Sequence, residues 1–327
     1  MTTSYGGPRF TPGRIRALAL TAGPLVLPLF AIELIWLHTL IPLVVCYHLV
    51  VLGGREGNTV VTWALGSAGL MALISQSLLV FVFGLTMVPL GYILAAGIRR
   101  GDAPSWTGIK GLGYVFCLWL LLGAYSGLTG GPGPLQVTLE SLEQSMVAAL
   151  GQLEPAAENG VGAAAAPLSD QELVAAYENL QRFISRAWPA LFTISFISLV
   201  WLNLVASHWL LRRKDPRLTP WPEFKYWRLP EHFIAAAALA LVLLLVRVEP
   251  LATIGLNGSL IIGMLYFMQG LGIMSALLAY WNVPPLLRGI CYALILMQIY
   301  GLLLLALLGM ADIRLNFRQR LQKRESP

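Results

Sequence analysis

Charge is scarce in this sequence. Asp, Glu, Lys and Arg make up 12% of its 327 residues, about half the share of an ordinary soluble domain. Apolar residues make up 57%, more than a water-soluble chain of this size can hide. Cysteine is also rare: Cys46, Cys117 and Cys291 are scattered through apolar stretches with no CxxC spacing. They read as small packing residues, so neither a metal nor a redox centre is expected. Catalytic signatures are missing as well, with no GxxxxGK[ST] phosphate loop, no HExxH, no GxSxG and no close carboxylate pair inside an apolar stretch. These motifs are what phosphate, zinc and acyl-transfer chemistry would need. We therefore expect no enzyme, no catalytic residue and no cofactor, and an ATP-driven step would need its engine on another chain. The net charge of +6 does not point to nucleic acid, because the basic residues cluster at the ends of apolar stretches, where charges orient membrane helices.

What is present is long apolar runs. A bilayer core about 30 Å thick is crossed by about 20 mostly apolar residues in a helix. That measure places spans at 15–31, 33–53, 58–76, 77–98, 109–128, 188–211, 231–248, 257–281 and 285–309. The first two run together, interrupted only by Glu33, His38 and Pro42. Arg14 and Arg16 precede an apolar run too long for a cleaved leader, so the first segment reads as a retained span. The expected fold is all-α, a polytopic transmembrane bundle of about 8–9 spans with an extramembrane helical hairpin. The chain then divides into four regions: a bundle of five spans over 1–128, the hairpin over 129–187, a second bundle over 188–311 and a basic tail over 312–327.

Orientation is read from Lys and Arg. Arg14 and Arg16, Arg99 and Arg100, and Arg212 to Lys214 with Arg217 all fall on one side by span count, which places the amino terminus in the cytoplasm of a bacterial inner membrane. The tail, with Arg314, Arg318, Arg320, Lys323 and Arg324, breaks the count. Three spans after Arg217 would put it outside, so either one carboxy-terminal segment is re-entrant or the charge rule fails at this end; the tail is expected inside.

The hairpin opens on Gly130-Gly131-Pro132-Gly133-Pro134, a break no helix survives. Leu139, Leu142, Met146, Leu150 and Leu153 then recur at helical spacing. Ser169 to Glu172 fits a capping box, and Leu173, Tyr177, Leu180 and Ile184 carry one apolar face into the next span. It shields the membrane helices, pairs with a second copy, or lids a cavity.

Ionisable and polar groups inside spans are where function is sought first. Glu33 and His38 lie about 7 Å apart along a helix axis and point in different directions, so with His48 they read as interfacial residues rather than a metal site. His208 beside Trp209 reads as part of an interface belt. The stretch 215–232 holds four aromatics and four prolines among alternating charges. Its Trp221, Phe224, Trp227 and Arg228 are candidates for membrane anchoring or for docking a partner. In the next span, Asn257 is placed to cap a helix start. Tyr266 and Gln269 sit beside Gly270 and Gly272, and a buried Gln needs partners from a neighbouring helix or a ligand. Asn257, Tyr266 and Gln269 are thus the candidate ligand-binding set.

Phe224-Lys225-Tyr226-Trp227-Arg228-Leu229-Pro230, Gly255-Leu256-Asn257, Tyr266-Phe267-Met268-Gln269-Gly270-Leu271 and Gly309-Met310-Ala311-Asp312, running into Asn316-Phe317-Arg318, together resemble the YybS-like family of uncharacterised bacterial membrane proteins. That family is loosely similar to the substrate-binding subunits of energy-coupling-factor transporters. The resemblance implies a small-solute-binding subunit that borrows an ATPase module. The alternative is a scaffold or assembly factor working through the hairpin and cytoplasmic segments. Expected partners are the lipid bilayer, an ATPase module or another membrane protein, and a second copy of the chain, with no nucleic acid.

Overall fold

The computed structural model describes residues 12–133, 135–141, 143–145, 170–216, 218, 221, 224, 227–246 and 248–315. Most of them are helical, with no strand among the described residues. Two compact units divide the chain: Met1–Ala124 with Phe196–Trp221, and Tyr125–Ser195 with Pro222–Pro327.

The first unit holds α1 (Pro12–Phe30), a 3-10 helix (Ile32–Leu40), α2 (Ile41–Leu52), α3 (Gly54–Ile74), α4 (Leu78–Leu85) and α5 (Val88–Arg100). It also holds most of α6 (Pro104–Thr129) and the last part of α7 (Asp170–Lys214). α3 packs against α1 and α2, and α2 also packs against α5. Leu25, Ile41, Val45, Leu90, Leu94, Val200 and Leu204 fill the core between them, and Cys46 is buried among them as a packing residue. Arg14 pairs with Glu56, and the Arg99 guanidinium donates to the Leu49 carbonyl near the end of α2. Residues 14, 49, 56 and 99 therefore share one end of this unit.

In the second unit α9 (Leu251–Tyr280) is the spine, and α8 (Phe233–Leu245) and α11 (Ile299–Leu315) both pack along it. The α9–α11 crossing is backbone on backbone. A β-carbon on Gly270 would meet the Leu305 carbonyl, and one on Gly309 would meet the Tyr266 carbonyl. Only glycine allows that approach. The expected span at 231–248 is shorter than a full crossing. α8 has 13 residues, about 20 Å, because Pro230 and Pro250 flank it. The expected span at 285–309 is instead two helices, α10 (Pro285–Leu296) and α11, bent by 104°. Among the described residues, seven helices are long and apolar enough to cross a membrane, or eight if the bent pair counts as one span.

Of the expected hairpin, α6 ends at Thr129 and Gly130 turns the chain with φ of 67°. Residues 135–141 and 143–145 are helical. Leu142, Met146, Leu150, Leu153 and Ser169 lie outside the described residues. The second arm is continuous with the next span, so α7 runs for 45 residues and contributes to both units.

Candidate functional site

Asn257 does not cap its own helix, which begins six residues earlier at Leu251. Its amide instead enters α7 at Pro189. Oδ1 accepts from the Ala190 N–H at 2.8 Å, and Nδ2 donates to the Arg186 carbonyl at 2.8 Å. In an unbroken helix those two groups would bond to each other. The proline ring forces them apart, and the side chain bridges the gap. Nδ2 also donates to the Thr253 carbonyl at 2.8 Å. Nearby, Arg186 pairs with Glu249, whose other oxygen accepts from Thr253 Oγ1 at 2.7 Å.

Gln269 joins three segments in the same way. Its Oε1 accepts from the Leu229 N–H at 3.0 Å, and Nε2 donates to the Gly309 carbonyl at 2.9 Å. Asn257 and Gln269 are thus held by backbone groups of neighbouring elements. Tyr266 is fully buried, and its hydroxyl has no hydrogen-bond partner among the described residues. Asp312 is also fully buried, with Arg228 Nε at 3.8 Å. The start of the tail therefore lies beside the stretch that precedes α8. The candidate docking residues divide between the units. Trp221 stacks on His208 with ring centroids 3.7 Å apart and packs against the first unit's core, so His208 is covered rather than interfacial. Phe224 and Trp227 stack at 6.3 Å in the second unit, where Trp227 and Arg228 remain partly exposed.

The first unit contains an arrangement the sequence reading missed. Its second span opens as a nine-residue 3-10 helix before becoming α2, and its fourth is split into α4 and α5 by a turn at Thr86–Met87. Both breaks are built alike. Thr39 and Thr86 each turn their hydroxyl onto the carbonyl three residues back, Trp36 at 2.7 Å and Phe83 at 2.6 Å. Their own carbonyls are taken by side chains of other helices: Asn203 Nδ2 donates to Thr39 at 2.9 Å, and Tyr114 Oη donates to Thr86 at 2.6 Å. A proline at the second helical position restarts each helix, Pro42 in α2 and Pro89 in α5. That signal was readable.

His38 sits where the two broken spans meet. It is 1% exposed, its ring lies 5.7 Å from that of Phe83, and a β-carbon on Gly84 would come within 3.0 Å of its Nε2. Neither ring nitrogen has a hydrogen-bond partner among the described residues. The reading of His38 and His48 as interfacial residues is corrected, since α1 to α4 close around them. His48 is 5% exposed and shares a 2.9 Å hydrogen bond with Thr21, while Glu33 is exposed. These three do not converge, and no cluster of three metal-ligating side chains exists among the described residues.

The helices define a multi-pass α-helical membrane protein. Within that class, the chain belongs to the predicted membrane protein family DUF2232, which matches residues 25–313. No curated protein and no solved structure matches it significantly, so the looser likeness to energy-coupling-factor subunits has no relative to carry it.

Proposed function

We propose that this protein is the solute-handling subunit of a bacterial inner-membrane transport system, with its amino terminus and basic tail in the cytoplasm and an ATPase on a separate chain. One observation carries the reading: two apolar spans are broken at facing positions, around a buried imidazole with no hydrogen-bond partner among the described residues. The 3-10 stretch and α2 are each about 18 Å long, so the first break falls midway along its span. Irregular backbone at that depth persists only where protein covers it or a cavity is lined by it. Discontinuous helices near the midplane are how carriers present polar groups to solutes. The partly exposed Trp227 and Arg228 offer the cytoplasmic docking surface for the ATPase. The same two residues favour the scaffold reading, in which His38 has no part.

The test is affinity purification from the native host in mild detergent, with mass spectrometry of proteins and small molecules. The wild-type chain is expected to retain a small molecule that His38→Leu loses, and both are expected to bring down an ATPase. A clean chain with no retained solute, together with an unchanged metabolite profile in a deletion strain, overturns the proposal. Partner capture unaffected by His38→Leu, with no solute in either sample, supports the scaffold.

A further inference from the structure

The second unit contains a cavity of about 500 Å³ between α7 and α9. Its polar wall comes from α7: Asn179, Gln181, Arg182, Ser185 and Arg186. Phe183 and, from α9, Leu256 supply the apolar part. Asn179, Arg182 and Arg186 recur at three- and four-residue spacing, which sets them on one helix face. Two guanidinium groups therefore face one hollow whose remaining polar lining, among the described residues, is amide and hydroxyl.

We propose that this cavity binds an oxyanion, the phosphate or carboxylate head of a molecule at the membrane surface. Guanidinium groups present planar forks of N–H donors that match such heads, and amides and hydroxyls add neutral donors around them. Arg182 donates Nε to the Glu178 carbonyl at 3.3 Å and Nη2 to Asn179 Oδ1 at 3.0 Å. A guanidinium has five N–H donors, so these two bonds fix its plane and leave the others for a ligand. Arg186 is oriented by Glu249 and by Thr253 Oγ1, the latter at 3.3 Å from its Nε. That carboxylate belongs to the turn before α9, and its oxygens are engaged by Arg186 and Thr253. Among the described residues the lining contains no acid, which disfavours cations.

Depth supports the same chemistry. Residues 187–211 carry no Lys, Arg, Asp or Glu, so Arg186 is the last charge before an uninterrupted apolar stretch. Its partner Glu249 precedes the first turn of α9, an apolar span. The cavity therefore lies at the headgroup level, where phosphate and carboxylate groups of lipids and of approaching solutes are both found. The apolar contribution of Phe183 and Leu256 suits a ligand with an acyl or other apolar body behind its charged head. This inference is independent of His38 and of transport, since it rests on the other unit.

The experiment uses the full chain in nanodiscs of phosphatidylcholine, with and without phosphatidylglycerol. Inorganic phosphate and a short-chain alkyl phosphate are titrated by calorimetry, and retained lipid is read by native mass spectrometry. Binding of the soluble phosphates identifies a solute site. Selective retention of phosphatidylglycerol without soluble binding identifies a lipid headgroup site. In either arm Arg182→Gln is expected to weaken binding by about tenfold or more, and Glu249→Gln to tighten it by releasing Arg186. Absence of binding in both arms, or affinity unmoved by Arg182→Gln in a variant with unchanged thermal stability, overturns the proposal.

Discussion

Replacing Asn257 with Ala tests the bridge at Pro189 more sharply than any other single change. The substitution strands the Ala190 N–H, on a residue with no exposed surface, and an unpaired buried donor costs about 1–3 kcal/mol. The Arg186 carbonyl adds less, because its bond to Asn257 is at an exposed site where water can take over. Polar contacts between membrane helices average about 0.6 kcal/mol and reach about 1.7, since the unfolded chain in a membrane also finds partners. The expected loss for Asn257→Ala is therefore about 1–2 kcal/mol. Pro189→Ala changes the outcome, because without the ring α7 can close its own Ala190 to Arg186 bond. In that background Asn257→Ala should cost about 0.5 kcal/mol or less, a coupling of about 1 kcal/mol between residues in contact. Equilibrium unfolding by SDS in mixed micelles measures all four corners of the cycle. Equal losses with and without Pro189 would show that the amide does not bridge the proline break, and would refute the coupling of α9 to α7 through it.

The same physics sets three further outcomes. His38→Leu removes an imidazole with no partner among the described residues, so thermal unfolding should show a gain of about 1–2 kcal/mol; a clear loss would mean that His38 has hydrogen bonds in the membrane. Gly309→Ala drives a β-carbon into the Tyr266 carbonyl and should lower stability by about 3 kcal/mol, whereas Gly263→Ala, with open space around it, should be neutral or stabilising by up to about 1 kcal/mol. Glu56→Gln breaks a partly exposed pair with Arg14 and should shift stability by less than about 1 kcal/mol.

The fold class was legible because membrane physics writes it into composition: apolar runs of the right length and basic residues at their ends suffice to define a helical bundle. Residues 227–230, 257, 266–270 and 309–312 could also be picked out before the structure, and the second unit does bring many of them together through the Gln269 bonds, the Arg228–Asp312 pair and the Gly270–Gly309 crossing. Their roles were not legible. A polar residue in a span signals only that it needs partners, and whether a proline break in another helix supplies them depends on packing. Asn257 shows this, since no periodicity in α9 points to Pro189 in α7. The broken spans failed for a different reason. Hydropathy averaged over about 20 residues passes smoothly across Leu40–Ile41 and Thr86–Met87, while the local evidence, a Thr and then a proline at the second helical position, falls below the resolution of that average. The Arg182–Arg186 cavity was hidden because the arginines look like ordinary span-flanking charges until Leu256 is placed against them.

The parity conflict at the carboxy terminus bears on distances along α9 and is open to a direct test. Gln269 lies 18 residues beyond Leu251, about 27 Å along the helix, which is nearly one bilayer core of about 30 Å. α8 packs along the first half of that path, and Leu229, just before it, bonds to Gln269. Leu229 and Gly309 thus meet the same residue of α9, Gln269, far along the helix from Leu251. The end of α9, α10 and α11 fold back through the 104° bend until Gly309 reaches Gln269 and Asp312 reaches Arg228. The tail therefore starts beside the stretch that precedes α8, and the expected outcome is that both lie on one side of the membrane. With Cys46, Cys117 and Cys291 replaced by Ala, single cysteines introduced as Lys225→Cys and Ser326→Cys should react with an impermeant maleimide from the same side of sealed vesicles. Labelling from opposite sides would mean that the bent pair crosses the bilayer after all.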